Sequence, residues 1–236
     1  MRLSAPAHKL KQRAKSLARQ NHLPLNEALD SVAEQEGFKS WSLLAARLAR
    51  SASPRMLLDQ LSAGDLALIA ARPGQGKTAF GLELVLNAVK AGRDGWFFSL
   101  EWNMPDVIYR LQKIDPSIDS IPQALSFDSS EKISADYIID RLANVFAGTV
   151  VIIDYLQLLD QDRQKPKLQD QIRDIEKFAK KRGVVFVFIS QVDRSYDLSS
   201  KKVPDIEDVR LPNPLDLSVF SPRCFIGNLE SNISDR

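Results

Sequence analysis

Cysteine is almost absent from this 236-residue chain: Cys224 is the only one. That excludes a disulfide framework and a four-cysteine zinc site, and it predicts a reducing, cytoplasmic setting. Histidine is nearly as scarce, and His8 and His22 have no partners at metal-ligand or catalytic spacing, so both read as surface residues. Long apolar runs are missing. Apolar runs such as VVIID around Ile152 and VVFVFIS around Phe186 fall far short of the roughly 20 residues a bilayer span requires. The amino terminus also lacks a hydrophobic signal core, so no membrane partner is expected. No charge of one sign dominates: 32 Lys and Arg against 30 Asp and Glu leave +2, which excludes an acidic tail protein and supplies no bulk attraction for nucleic acid. Neither an internal repeat nor a low-complexity tract is evident. What remains, with 44% hydrophobic and 26% charged residues, suffices for one sizeable core and a small appendage.

The near-neutral average conceals a division along the chain. Residues 1–55 hold ten Lys or Arg against four acids, a local balance of +6, so the remainder carries −4. In that first segment Leu10, Ala14, Leu17 and Ala18 recur at helical spacing with basic residues between them, which predicts an amphipathic helix starting near Ser4 or Pro6. A second helix follows Pro24, with Asn26 as its expected N-cap, Ala28, Leu29, Val32 and Ala33 as its apolar face, and Gly37 as its stop. Ser40 caps a third, WSLLAARLA. Residues 1–50 therefore read as a small basic all-α module and residues 51–55, SASPR, as a linker. The basic first helix would either touch nucleic acid or an acidic partner, or simply present a solvated face.

From residue 56 to 236 the pattern changes. LALIAA (66–71), GWFFSLE (95–101), TVVIIDYL (149–156) and VVFVFISQ (184–191) are apolar runs rich in β-branched and aromatic residues, suited to strands covered on both faces. Helical stretches alternate with them, in KTAFGLELVLNAVKAG, PDVIYRLQKI and QDQIRDIEKFAKKRG. The alternation predicts an α/β domain with a mostly parallel sheet flanked by helices.

Chemistry begins where the first of these strands ends. ARPGQGKT, residues 71–78, fits a phosphate-binding loop: Gly74 and Gly76 permit backbone angles that turn several amides toward one anion. Arg72, Pro73, Gly74, Gln75, Gly76, Lys77, Thr78 and Ala79 are the candidate ATP contacts. Lys77 would reach the β and γ phosphates, and the Thr78 hydroxyl would complete a Mg²⁺ shell at the positive end of the following helix. Ala71 stands where the commonest form of the loop has glycine, and it is small enough to fit. Three polar residues end the other apolar runs. Asp154 is placed to meet the Mg²⁺ shell, Glu101 to polarise a water molecule, and Gln191 to hydrogen-bond the γ-phosphate or that water. The three tryptophans, Trp41, Trp96 and Trp102, read as packing rather than base-stacking platforms.

The blocks ARPGQGKTAF, FFSLE, VIIDYLQLL and FISQVDRS, in this order, resemble the ATPase motor of the DnaB-type replicative helicases within the RecA-like branch of P-loop ATPases. Arg110, nine residues beyond Glu101, also falls where that family has arginine. The resemblance covers roughly residues 56–210. It implies Lys77 and Thr78 as nucleotide and Mg²⁺ contacts, Glu101 as catalytic carboxylate, Asp154 as Mg²⁺-linked acid and Gln191 as γ-phosphate sensor. There are departures. The family's DNA-holding loop corresponds to DVRLPN, residues 208–213, in which Asp208 and Arg210 match, and between Arg210 and Arg236 only Arg223 is basic, with no evident arginine finger. Such a group is worth about 10³ to 10⁵ in rate where it is used, so weak hydrolysis is expected unless a partner supplies one. Arg163, Lys165 and Lys167 lie in a loop at the position of a channel-facing loop, where they would contact DNA phosphates or be merely solvated. Two functions are expected from this: an ATP-driven single-stranded DNA helicase working as a homo-oligomeric ring, or a nucleotide-switched protein that docks to a helicase or other replication partner.

Overall fold

The computed structural model describes residues 4, 7–49, 52–160, 166–199, 201–211, 213–227 and 231–234. The chain opens with three helices, α1 (Ala7–Asn21), α2 (Leu25–Gln35) and α3 (Trp41–Ala49). Their inner faces meet at Leu10, Ala14, Ala28, Val32, Ala33 and Leu44, a small core that shares no residue with the layers described below. Asn26 is not the cap of α2: the helix begins at Leu25 behind Pro24, whose fixed φ starts the turn without a side-chain hydrogen bond. Gly37, with φ of 81°, does end it, and Ser40 Oγ accepts from the amide of Leu43 at the start of α3.

Residues 54 and 55, read from sequence as linker, are the first turn of α4 (Pro54–Gln60). Ser53 accepts from the Met56 amide and Pro54 occupies the first helical position, where its missing N–H is no loss. Then follow β1 (Leu66–Ala71), α5 (Lys77–Lys90), β2 (Gly95–Ser99), α6 (Met104–Ile114), β3 (Leu125–Asp128), α7 (Ala135–Arg141) and β4 (Val150–Asp154). The chain continues through α8 (Leu168–Arg182), β5 (Val185–Gln191), β6 (Arg223–Ile226) and β7 (Ser231–Ser234), with short 3₁₀ turns between β4 and α8 and between β5 and β6.

The strands form one sheet in the order β3-β2-β4-β5-β1-β6-β7, parallel throughout except for β7. Side chains alternate between two covered faces. Ala67, Ile69, Phe97, Ile152, Val187 and Ile189 pack under α4, α5 and α6, while Leu68, Phe98, Val151, Ile153, Phe186 and Phe188 pack against α7, α8 and the 3₁₀ turns. That is why β1, β4 and β5 read as unbroken apolar runs. Each fully buried Leu or Phe contributes about 1.5–3 kcal/mol to this core. Gly81 lets α5 lie close to the sheet: a Cβ there would stand 2.7 Å from Ile189 Cδ1 and 3.2 Å from Ile152 Cγ2. No described helix is long and apolar enough to cross a membrane.

Candidate active site

A parallel sheet collects the carboxyl ends of its strands along one edge, so residues far apart in sequence meet there. β1, β5, β4 and β2 are consecutive neighbours, with Ala71 opposite Gln191, Asp154 opposite Ile189 and Ser99 opposite Asp154. Asp154 follows Ile152 on the face covered by α5, and α5 starts directly over it.

The loop from Arg72 to Gly76 joins β1 to α5. Gly76 is the residue before the helix and adopts φ of 85°, with Gly74 at 77°, conformations that a side chain disfavours. The amides of the first turn of α5 therefore lack intrahelical acceptors and its positive end faces the loop. Lys77 and Thr78 are buried, whereas Pro73, Gly74 and Ala79 are exposed. Arg72 is a candidate whose side chain does something else: its Nη1 donates to the Val192 carbonyl at 3.0 Å and its Nη2 pairs with Asp197 at 2.8 Å. It ties the loop to the segment after β5.

Asp154 is fully buried. Burial, and then the charge of Glu101, push its carboxyl up to about 7, while the Thr78 hydroxyl, the Lys77 ammonium and the Ser99 hydroxyl pull it down. Ser99 Oγ lies 3.5 Å from Asp154 Oδ2 and accepts from the Glu101 amide at 3.1 Å, which holds Glu101 beside Asp154. Asp154 Oδ1 has no hydrogen-bond partner among the described residues. An orphaned carboxylate oxygen, buried next to a hydroxyl and an ammonium, fits a Mg²⁺ that takes one protein carboxylate and fills its shell with phosphate and water. Among the described residues no cluster of three or more His, Cys, Asp or Glu forms a closed metal cage.

Behind Glu101, Trp102 stacks on Phe97 with ring centroids 6.1 Å apart, and the Arg110 guanidinium lies 4.2 Å from the Trp102 ring centroid. Trp102 is a packing residue that fixes the position of Arg110. Gln191 is half-buried at the end of β5, and its carbonyl accepts from the Arg210 amide at 2.8 Å.

Gln157 was not singled out from sequence. It is buried in the turn after β4, where its Nε2 donates to Ser190 Oγ at 3.1 Å and to the Arg210 carbonyl at 2.7 Å, and its Oε1 is unpartnered among the described residues. Thus the turn after Asp154 and the strand end carrying Gln191 both hold the backbone of Arg210, whose side chain is exposed. The available signal was a lone amide among the leucines of DYLQLL, three residues beyond Asp154. Asp208, matched to the family's DNA loop, serves the local fold instead: it accepts from the Asp205 amide at 2.9 Å and pairs with Lys201 at 3.1 Å. Lys167 is exposed at the start of α8, whose Gln171 donates to the Leu159 carbonyl in the turn after β4 at 2.7 Å, and Arg163 and Lys165 lie outside the described residues.

A family model described as ATPase: KaiC matches residues 55–209. The replicative DNA helicase DnaB of Geobacillus stearothermophilus is 27% identical over 189 residues, which cover 65% of this chain and 42% of that protein. The replicative DNA helicase DnaC of Bacillus subtilis is 26% identical over 192 residues, again 65% of this chain and 42% of the relative. The chain thus spans about two fifths of the length of these curated relatives. Among solved structures, a DnaB-like replicative helicase described with its interactions with primase superposes with a TM-score of 0.59 at 21% identity, covering 96% of this chain and 73% of that one. A second solved structure, of an ATPase domain, superposes with a TM-score of 0.51 at 24% identity, covering 64% of this chain and 65% of that one. Both likenesses carry the fold.

Proposed function

The chain belongs to the KaiC ATPase family, and from that premise we propose that it binds ATP with Mg²⁺ and hydrolyses it, coupling turnover to single-stranded DNA. The observation that carries this reading is Asp154, a fully buried acid whose Oδ1 is unpartnered among the described residues and whose proton affinity responds to Glu101, Thr78, Lys77 and Ser99. Amides of the loop 72–78 and of the first turn of α5 would bind the phosphates, with Lys77 on the β and γ groups. Thr78 and Asp154 would hold Mg²⁺, which when bound neutralises the charge developing on the phosphates. Glu101, exposed beside Asp154, would take the proton of the attacking water, and the Gln191 amide would orient that water or the γ-phosphate.

The identity of the relatives as replicative helicases supports the coupling to single-stranded DNA, through Arg210 and the loop of Arg163, Lys165 and Lys167. It also supports assembly into a ring, or docking to a replication partner, in the cytoplasm. Residues 1–50 are proposed as a separate helical module, because their core is their own. The deciding measurement is the ATPase rate with and without single-stranded DNA, together with the native mass of the ATP-bound form. Stimulation by DNA and a multimeric mass are expected; a DNA-insensitive monomer would sink the coupling. Lys77→Ala should weaken ATP binding about 10- to 100-fold, the loss of a charge-assisted contact. Retained affinity would overturn the phosphate loop.

A further inference from the structure

The function proposed for the sheet domain leaves the charge of α1 unused. Leu10 and Ala14 are buried against α2 and α3, with Leu17 and Ala18 beside them, so the inner face of α1 is committed to the module's core. Outside that face Lys11, Lys15 and Arg19 lie in one row and Arg13 on the opposite flank, all exposed. α1 contains no acid, and none of these four cations has an ion-pair partner among the described residues.

α8, also a surface helix, pairs three of its five cations with its own acids. There Arg173 pairs with Asp170, Lys177 with Asp174 and Lys180 with Glu176, each at one-turn spacing. In α1 the one-turn neighbours of Lys15 are Lys11 and Arg19, like charges that cost about 0.2–0.5 kcal/mol per pair instead of contributing it. The acids of α2 and its C-cap Glu36 do not relieve this. Asp30 accepts from the Trp41 amide at 2.7 Å, Glu36 is buried and bonded to Ser4, and Glu27 and Glu34 are exposed without ion pairs among the described residues. Lys11, Lys15 and Arg19 form a stripe advancing about 6 Å per step along the helix. A polyanion with regularly spaced charges on a comparable scale is a nucleic-acid strand, whose phosphates recur about every 3.4 Å in duplex, so that the stripe meets alternate phosphates. α1 carries no Trp, Tyr or Phe to stack on a base.

We infer that the outer face of α1 is a binding surface for the phosphodiester backbone of nucleic acid, independent of base sequence and of nucleotide at the ATPase site. The contact is electrostatic, so log K falls with log salt at a slope of about −0.7 per phosphate on a single strand and about −0.9 on a duplex. The three cations of the stripe predict slopes of about −2 to −3.

The test uses the full chain without ATP and measures anisotropy of a labelled oligothymidylate and of a labelled duplex across a salt series. Lys11→Glu, Lys15→Glu and Arg19→Glu combined, all exposed positions, should weaken binding at least about tenfold and flatten the slope by about two to three. Circular dichroism confirms the fold, and the DNA-free ATPase rate should match wild type. The charge-conserving set Lys11→Arg, Lys15→Arg and Arg19→Lys should keep both affinity and slope. A larger wild-type affinity for oligothymidylate or for duplex identifies which form is taken, and either supports the inference. Absence of wild-type binding at low salt, or binding unchanged by the charge reversal, overturns it. So does polyglutamate, binding with equal affinity, since the site would then take an acidic protein as readily. Because no ATP is present, loss of DNA-stimulated ATPase activity with this binding intact would count against the function proposed for the sheet domain alone.

Discussion

The helical head and the sheet body place charge in opposite ways. In α1 Lys11, Arg13, Lys15 and Arg19 stand in solvent outside a small apolar core, without ion pairs among the described residues. In the body three of the five cations of α8 are paired with its own acids, and the unusual charge is inside: Asp154, buried, with its proton affinity raised by burial and by Glu101, at one edge of the sheet. Two kinds of function follow from the two placements. Unpaired exposed charge acts at a distance and is screened by salt, whereas buried charge at a strand end acts on what touches it, because water does not shield it there. Each region can therefore be broken without the other.

The largest effect expected is on turnover. Glu101→Gln should lower the ATPase rate about 10²- to 10⁴-fold, the range of a lost general base, while nucleotide affinity and the head's oligonucleotide affinity stay as in wild type. Single-turnover kinetics with binding titrations check this, and an unchanged rate would remove Glu101 from catalysis. Next is Leu44→Ala, in the fully buried centre of the head. Such a truncation costs about 2–5 kcal/mol, enough to unfold a core this small. Helical signal and oligonucleotide binding should fall while ATP binding and the main melting transition persist. Joint loss of both would show that the head and body fold as one unit.

A smaller effect concerns pH. Asp154 has a carboxyl raised from 3.8 to about 7 in the folded chain. Between those values the folded protein holds a proton that the unfolded chain has released. The stability contributed by this group is complete below the lower value and lost as pH rises through the upper one. In the absence of Mg²⁺ and nucleotide, Asp154→Asn should remove that pH dependence and exceed wild-type stability at about pH 8 by on the order of 1–4 kcal/mol. Lys15→Gln, neutralising an exposed charge in the head, should shift stability by less than about 0.5 kcal/mol. Thermal melts at about pH 5 and pH 8 separate the two, and parallel profiles for wild type and Asp154→Asn would refute a buried, protonated acid.

Legibility in the sequence followed how local each signal was. β1, β2, β4 and β5 could be read because strands buried on both faces must be apolar throughout, and α5, α6 and α8 because they carry their own periodicity. β3, β6 and β7 could not. LSFD, RCFI and SNIS are four residues each, and SNIS is a strand only because β6 offers it an edge to pair with. α4 and α7 escaped for a similar reason, being seven residues long and held by Ser53 and Ser134 caps against the layers they cover. Of the candidate site, Lys77 and Thr78 were readable from the glycine loop, and Glu101, Asp154 and Gln191 as polar residues at the ends of apolar runs. The diversion of Arg72 to Asp197 and the grip of Gln157 on Arg210 were not, since both join segments far apart in the chain.

The order of residues was enough to specify a glycine loop leading from a buried strand into a helix with lysine and threonine at its start, and acids at the ends of other strands. Those signals reside in contiguous residues and obey local backbone and burial rules. Folding alone set β2, β4, β5 and β1 side by side out of chain order, which brings Glu101 against Asp154 and Asp154 under Thr78. Crossover connections select which strands are neighbours, and burial among those neighbours sets the carboxyl's proton affinity. Neither quantity exists before the chain has folded.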